Sequence, residues 1–122
     1  MEPKQVFVMR RDLAMRRGKE IAQGAHASMM WLSHRIRRPG STFTEAERLW
    51  LDGPFTKVCV RVDSEEELLS VVRAAQEAGV MVYLCVDAGR TEFRGVPTPT
   101  CCAVGPDFPD RIDPITGHLK LL

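Results

Sequence analysis

Three polar residues, Lys19, Gln23 and His26, are spaced i, i+4 and i+7 in this 122-residue chain. On one helix their side chains lie within roughly 60° of one another, so they form a single polar stripe. A cation, an amide and a titratable ring in one line can bind an anionic group, hold a carbonyl and move a proton. The alternative interpretation is a solvated helix face that carries an incidental histidine.

A second polar group, Asp87-Ala88-Gly89-Arg90-Thr91, directly follows an apolar run that is typical of a buried strand. Sites in open α/β sheets collect beyond the carboxyl ends of strands. If this strand and the first strand are parallel neighbours, Asp87 and Thr91 approach the N-terminal half of the stripe. The start of the helix would add backbone donors and a partial positive charge, which favour a phosphate or an oxyanion. An ordinary strand-ending turn is the alternative.

The elements that must position these residues follow from hydrophobic patterning and from Gly and Pro breaks. The predicted strands cover 4–10, 56–62, 80–86 and 100–104, and the predicted helices cover 18–36, a short stretch within 41–53, and 64–78. This order predicts one domain over 1–122, an α/β fold that is a three-layer α/β/α sandwich with a four-stranded mixed, mostly parallel sheet.

Finer expectations concern caps and burial. Thr44 with Glu47, and Ser64 with Glu67, have the spacing of capping boxes, and Gly79 suits a left-handed helix end. The strand at 80–86 is expected to be covered on both faces, and 105–117 to be a turn-rich tail. The first helix is expected to bury an apolar face made of Ile21, Ala22, Ala25, Met29, Leu32 and Ile36.

The charge is distributed unevenly although the net charge is only +1. Residues 1–40 hold nine Lys and Arg against three acidic residues, and the remaining chain holds eight against thirteen. The basic residues of the first part are Lys4, Arg10, Arg11, Arg16, Arg17, Lys19, Arg35, Arg37 and Arg38. Such a surface suits a polyanion, with salt-dependent binding. A basic face that only aids solubility is the alternative.

Several other classes of site and protein fit poorly. The four cysteines lack a Cys-x-x-Cys pair and the three histidines lack zinc-ligand spacing, so we expect reduced core thiols and no metal or other cofactor. Ser28 diverges from His26 on the helix, which disfavours a Ser-His nucleophilic pair. Trp31 and Trp50 are expected to pack at the core edge or at a subunit contact rather than to stack on bases. No apolar run is long enough to span a membrane and Met1–Gln5 does not begin like a signal peptide, so the expected location is the cytoplasm.

Together, the motifs resemble the type 2 peptidyl-tRNA hydrolases. The resemblance rests on Lys4–Leu13, on Met15–Lys19 with Ala22–Ala27, on Asp87–Thr91, and on an ending made of Gly105-Pro106, Ile112-Asp113 and Thr116–Leu121, all in the family's order. The chain looks like a bacterial-like member with a longer first-helix-to-second-strand connection, Arg37 to Pro54. It also has Glu92 where a Gln is frequent, and a stiffer Val96–Pro99 loop.

The resemblance implies a cytoplasmic, usually homodimeric esterase without a metal, which cuts the bond between a peptide, or an N-blocked amino acid, and tRNA. Such an enzyme recycles tRNA lost from stalled ribosomes. It also implies that the catalytic positions are Lys19, Gln23, His26, Asp87 and Thr91. The expected tRNA-binding residues are Arg10, Arg11, Arg16, Arg17, Arg35, Arg37, Arg38 and Arg90.

Ester hydrolysis requires a positioned water, a proton acceptor and stabilisation of the tetrahedral oxyanion. Asp87 and His26 are expected to orient or deprotonate the water, without a covalent intermediate. Lys19 would bind the 3′-terminal phosphate or the oxyanion, and Gln23 and Thr91 would hold the carbonyl or the ribose hydroxyl. Two alternatives are a non-catalytic tRNA-binding or RNA-binding adaptor domain on the same fold, and a small-molecule esterase that ignores tRNA.

Overall fold

The protein is described from a computed structural model that covers residues 1–89 and 93–122. Its elements, in chain order, are β1 (Lys4–Arg10), α1 (Arg17–Arg37), α2 (Glu45–Asp52), β2 (Lys57–Val62), α3 (Glu65–Glu77), β3 (Val82–Asp87), β4 (Thr98–Asp107) and α4 (Pro109–Thr116). The strands and the first three helices agree with the predicted ones to within a few residues, except that β4 is longer at both ends. In the part of the chain described, no helix has the length and apolar character needed to cross a membrane.

The four strands form one mixed sheet in the order β2-β1-β4-β3. β1 pairs in parallel with β2, whereas β4 runs antiparallel to both β1 and β3. The mixed four-stranded sheet is therefore confirmed, with a single parallel pair where more had been expected. The expectation that β3 is covered on both faces is wrong, because β3 is an edge strand whose Val86 is 51% exposed.

Helices cover both faces of the sheet, which confirms the three-layer arrangement. On one face, Leu68 and Val71 of α3 pack with Ile112 of α4 against β1, β2 and β4. On the other face, α1 packs against β1, β3 and β4 through a cluster that includes Ala27. Cys101 and Cys102 belong to different clusters, because the side chains of successive residues in a strand point to opposite faces of the sheet.

The buried face of α1 differs from the predicted one. Gly24, Ala27, Ser28 and Trp31 are the buried residues, and the Ser28 hydroxyl donates a hydrogen bond of 2.7 Å to the buried side chain of Gln5. The predicted core residues lie instead toward solvent: Ile21 is 65% exposed, Met29 53% and Ile36 68%, Ala22 and Ala25 are also exposed, and Leu32 is half-buried. Small residues on this face, among them Gly24, let the helix lie close to β1. A Cβ added at Gly24 would lie 3.7 Å from Cε of Met9 on β1.

The caps follow the sequence closely. Thr44 and Glu47 make both hydrogen bonds of a capping box at α2. Ser64 caps α3 through the Glu67 amide, but the Glu67 carboxylate accepts from the amide of Asp63, so the second predicted box is only half formed. Gly79 has a φ of +69°, as expected for a left-handed helix end.

The expectation of a turn-rich tail after β4 is wrong for most of its length. β4 continues to Asp107, and α4 then begins at Pro109. Proline is favoured in the first turn of a helix. The helix was not predicted because Pro114 lies inside it, and proline is disfavoured within helices. Ile112 and Ile115 of α4 are buried in the core with α3.

Candidate active site

An ion pair between Lys19 and Asp87 joins the start of α1 to the end of β3. Lys19 Nζ lies 2.8 Å from Asp87 Oδ1, and the two side chains are only 18% and 13% exposed. Arg16 is the N-cap residue of α1, and its own side chain does not cap the helix, so Lys19 lies in the first turn, close to the N–H groups of the helix start. The positive end of the helix therefore lies next to a lysine that an acid holds in place.

Among the described residues, three donors hold the Asp87 carboxylate. Besides Lys19, the Gln23 amide donates to Oδ1 at 3.4 Å and the Gly89 N–H donates to Oδ2 at 2.8 Å. The hydrogen bond from Lys19, followed by that from Gly89, lowers the pKa of Asp87 below its ordinary value of 3.8, and burial opposes this only in part. Asp87 is thus ionised at neutral pH, which makes it a weak proton acceptor and a firm anchor for Lys19.

Gly89 has to be a glycine for this arrangement to form. Its φ is +82°, and a Cβ there would lie 2.3 Å from the carbonyl oxygen of Val96. The Gly95 N–H donates to the Gly89 carbonyl at 2.8 Å. The left-handed backbone conformation at Gly89 is compatible with the hydrogen bond of 2.8 Å from its own N–H to Asp87.

The Gln23 side chain is oriented by the two antiparallel strands beneath it. Its Oε1 accepts from the Thr100 hydroxyl at 2.5 Å and from the Cys85 thiol at 3.1 Å. With its oxygen engaged by these donors, its Nε2 faces Asp87. These hydrogen bonds hold the amide in one orientation, between the strands and the Asp87 carboxylate.

A β-bulge brings Thr100 to this position. Cys85 pairs with Cys101, whereas the next residue of β3, Val86, pairs with Pro99, so Thr100 is the extra residue on β4. A bulge changes the direction of a side chain that regular alternation would point to the other face, and bulges are frequent next to active sites. Thr100 and Cys85 were not predicted as site residues, because strand alternation alone cannot place Thr100 and Cys101 on the same side.

His26 completes the polar stripe at its exposed end. It lies one turn beyond Gln23 on the same side of α1, and its side chain is exposed to solvent. It is near enough for its charge to affect the Cys85 thiol electrostatically. Of the five predicted catalytic residues, Lys19, Gln23 and Asp87 are therefore in direct contact, and His26 borders them.

The predicted approach of Asp87 to the stripe is confirmed, although the predicted reason is wrong. β1 and β3 are not neighbours, because β4 lies between them. Two antiparallel steps return β3 to the direction of β1, so their carboxyl ends share one edge of the sheet. Thr91 and Arg90 lie outside the described residues.

The predicted basic residues separate into two kinds. Arg11, Arg16 and Arg17 are exposed near the start of α1, and Arg37 and Arg38 are exposed at its end. Arg10 and Arg35 instead are mostly buried and bind groups of the same chain: Arg10 bonds Asp12, Glu65 and the Pro99 carbonyl, and Arg35 binds the buried Glu47 of α2.

A cavity of about 610 Å³ lies between α3 and the end of α4, on the other face of the sheet. Ser70, Arg73 and His118 are among its lining residues, and none of the polar-stripe residues is. The polar-stripe residues thus lie outside this cavity, on the face of the sheet that α1 covers.

Comparison with known proteins links this geometry to one family. The sequence model of the family described as peptidyl-tRNA hydrolase PTH2 matches residues 3–122. A peptidyl-tRNA hydrolase from Methanothermobacter thermautotrophicus is 44% identical over 120 residues, which are 98% of this chain and 99% of that protein. One from Methanocaldococcus jannaschii is 40% identical over the same shares of both chains.

A solved structure of a protein of unknown function from Agrobacterium tumefaciens strain C58 has the same fold. It superposes with a TM-score of 0.63, covering 100% of this chain and 98% of that one. Only 12% of the residues are identical, so this likeness concerns the fold alone.

Proposed function

The chain belongs to the peptidyl-tRNA hydrolase family PTH2 and hydrolyses peptidyl-tRNA, and we propose that it does so at the Lys19–Asp87 pair. The observation that carries the proposal is this pair itself, because an acid at the end of β3 holds a lysine beside the start of α1. The family and the names of the relatives favour a hydrolase over an adaptor domain. No feature of the described residues separately supports a small-molecule esterase.

In the proposed reaction, water attacks the ester carbonyl that joins the peptide to the terminal ribose. Negative charge develops on the carbonyl oxygen, and the Lys19 ammonium stabilises it. Asp87 orients Lys19 and is a positioning residue for the cation rather than the proton acceptor. Its lowered pKa supports this assignment, because a carboxylate that binds protons weakly is a poor general base.

His26 is the proposed proton acceptor. Histidine is the side chain best suited to take and return a proton at neutral pH. Its place on the exposed end of the stripe leaves room for a water between it and the ester. Gln23, oriented by Thr100 and Cys85, donates to the substrate or to the attacking water from its Nε2. Thr91 is proposed, from the family resemblance, to hold a ribose hydroxyl.

The tRNA backbone is proposed to run along α1. Arg37 is 18 residues beyond Lys19, which is five helical turns, so both lie on the same helix face about 27 Å apart. Arg11, Arg16 and Arg17 would contact phosphates at the near end, together with Arg90, and Arg37 and Arg38 at the far end. Arg10 and Arg35 are left out of this proposed surface, because their guanidinium groups are mostly buried and already bind acidic partners of the same chain.

We also propose that the chain, as one domain, forms a homodimer through the exposed apolar stripe of α1. Ile21, Met29 and Ile36 lie within about 80° of one another on the helix and are all more than half exposed. This apolar stripe is about 120° away from the polar stripe, so pairing would leave the active site open. Sedimentation equilibrium of the Met29→Lys variant should show a monomer where the natural chain is a dimer. A cytoplasmic location is proposed from the substrate, since tRNA is used there.

The proposed site is tested by hydrolysis of N-acetyl-aminoacyl-tRNA, followed as release of the acyl group. Lys19→Ala and His26→Ala should each lower kcat/KM by about 10² to 10³. His34→Ala is the matched control, because His34 is an exposed histidine on the same helix that packs edge-on against Tyr83. Equal activity of the His26 and His34 variants, or full activity without Lys19, would show that this is not the active site.

A further inference from the structure

Two cysteines face each other beneath the Gln23 side chain. Cys85 of β3 and Cys101 of β4 are directly opposed in the antiparallel register and belong to the same core cluster. Both contact Gln23: the Cys85 thiol donates to its Oε1 at 3.1 Å, and the Cys101 thiol donates to its backbone carbonyl at 3.5 Å. Hydrolysis of the ester as proposed above uses neither thiol as a nucleophile.

The backbone at this pair is suited to a cross-strand disulfide. Directly opposed residues of antiparallel strands have Cα atoms about 4.5–5.5 Å apart, within the range of about 4.4–6.8 Å that a disulfide spans. The bulge at Thr100, which is next to Cys101 on β4, supplies local freedom for the small adjustment that brings two Cβ atoms together. Both residues are thiols in the structure described here.

The two thiols differ in pKa, as the two members of a reactive cysteine pair do. The hydrogen bond from the Cys101 thiol lowers the pKa of Cys85, and the charge of His26 acts in the same direction, whereas burial and Asp87 oppose it. The same hydrogen bond and burial raise the pKa of Cys101. Cys85 is thus the better nucleophile of the pair, and Cys101 lies in position to resolve its oxidised form.

We propose that Cys85 and Cys101 form a redox-modification site that a small hydroperoxide converts to a disulfide, displacing Gln23 from its catalytic position. The Cys85 thiolate attacks one peroxide oxygen, the O–O bond breaks, and hydroxide takes up the thiol proton and leaves as water. The Cys101 sulfur then attacks the resulting sulfenic acid, the S–S bond forms, and a second water leaves. In total, two thiols and one hydrogen peroxide give one disulfide and two waters.

The consequence for the active site follows from the contacts that the thiol loses. A disulfide has no S–H, so Gln23 Oε1 loses the Cys85 donor and Gln23 carbonyl loses the Cys101 donor. The bonded sulfurs also move toward each other under the Gln23 side chain. A shift of the amide relative to Asp87 by even part of an ångström should lower kcat/KM by roughly ten- to a hundredfold. This consequence rests on the function proposed above.

The test treats the natural chain with hydrogen peroxide and reads three properties. Intact-mass measurement should show the loss of two hydrogen atoms, and peptide mapping without reductant should join the peptides of Cys85 and Cys101. The side-chain amide resonances of Gln23, assigned by their absence in Gln23→Glu, should move. Hydrolysis of N-acetyl-aminoacyl-tRNA should fall and return after dithiothreitol.

Cys59→Ala is the matched control, since Cys59 is half-buried on β2 and burial raises its pKa. This variant should form the same disulfide. Cys101→Ala and Cys101→Ser should not form it, and peroxide should cause in them no loss of activity that dithiothreitol reverses. Absence of the linked peptide in the natural chain overturns the proposal, as does a disulfide that leaves the Gln23 resonances unmoved. A disulfide with moved resonances in a protein that never hydrolyses the substrate would support this proposal and overturn the assignment of the active site.

Discussion

Removal of the charge on Asp87 should impair the catalytic role of Lys19, although Lys19 itself is unchanged. In Asp87→Asn, Lys19 Nζ loses a carboxylate at 2.8 Å in a place where the side chains are 18% and 13% exposed. Two opposite charges about 4 Å apart attract by about 4 kcal/mol at an effective dielectric constant of about 20, and desolvation offsets much of this. A net coupling of about 1.5–3 kcal/mol remains, which is a factor of roughly 10 to 150.

The two residues should therefore act as one unit in a double-mutant cycle. Lys19→Met should lower kcat/KM by about 10² to 10³, which is the value of one charged donor to an oxyanion, and Asp87→Asn should lower it by roughly 10- to 150-fold, which is the factor that its coupling to Lys19 gives. Independent residues would give a double variant that is slower by about 10³ to 10⁵. If Asp87 works through Lys19, the double variant should be slower by only about 10² to 10³, like Lys19→Met alone.

The assay is hydrolysis of N-acetyl-aminoacyl-tRNA at substrate concentrations below KM, with urea unfolding to show that each variant is folded. Asp52→Asn, at the exposed end of α2, is the control and should retain full activity. A double variant whose loss equals the product of the two single losses would refute the reasoning. Asp87 would then contribute to the reaction independently of the cation.

Three further outcomes are expected. The pKa of Asp87 is lowered by Lys19, so the stabilising effect of its ionised form is fully present above its ordinary pKa of 3.8 and is lost as the pH falls below that value. The free energy of unfolding, measured with urea, should therefore fall less at low pH for Asp87→Asn than for the natural chain. Arg37→Ala should raise KM severalfold at unchanged kcat and reduce the salt dependence of tRNA binding by nearly one unit of slope, whereas Arg48→Ala, an exposed arginine on α2, should change neither in filter-binding titrations. Glu47→Ala should lower the free energy of unfolding by about 3 kcal/mol, because it leaves the Arg35 guanidinium mostly buried without its carboxylate; denaturation at the natural midpoint would contradict this.

The sequence predicted the strand and helix positions well where local signals agree. The Thr44 cap, the Ser64 cap and the Gly79 end are short-range features, and each was found where the residue types indicate it. The approach of Asp87 to the stripe was also predicted, because both segments follow the carboxyl ends of strands, although β1 and β3 are not the parallel neighbours that the prediction assumed. Motif order along nearly the whole chain, rather than any one spacing, identified the family.

The orientation of α1 was not predictable from hydrophobicity, for a physical reason. Ile21, Met29 and Ile36 make the more apolar stripe, yet the sheet receives the stripe that contains Gly24 and Ser28. Close packing of helix on sheet favours small residues, and the buried Gln5 on β1 requires a polar partner, which the hydroxyl and backbone of Ser28 supply. A hydrophobic period reports which faces are apolar, but not which of them the sheet covers.

The central detail of the site, the orientation of Gln23, depends on long-range geometry that no local pattern carries. Its donors come from two strands, Cys85 on β3 and Thr100 on β4, and they meet only because one extra residue on β4 forms a bulge. Substitution of Thr100 separates this role from simple packing. Thr100→Ser keeps a hydroxyl at the bulge and should retain most of the activity, whereas Thr100→Val keeps the shape and leaves Gln23 Oε1 with one donor fewer. Thr100→Val should therefore lower kcat by about tenfold with little change in KM. Equal kcat values for the two variants would mean that the hydroxyl does not orient the amide.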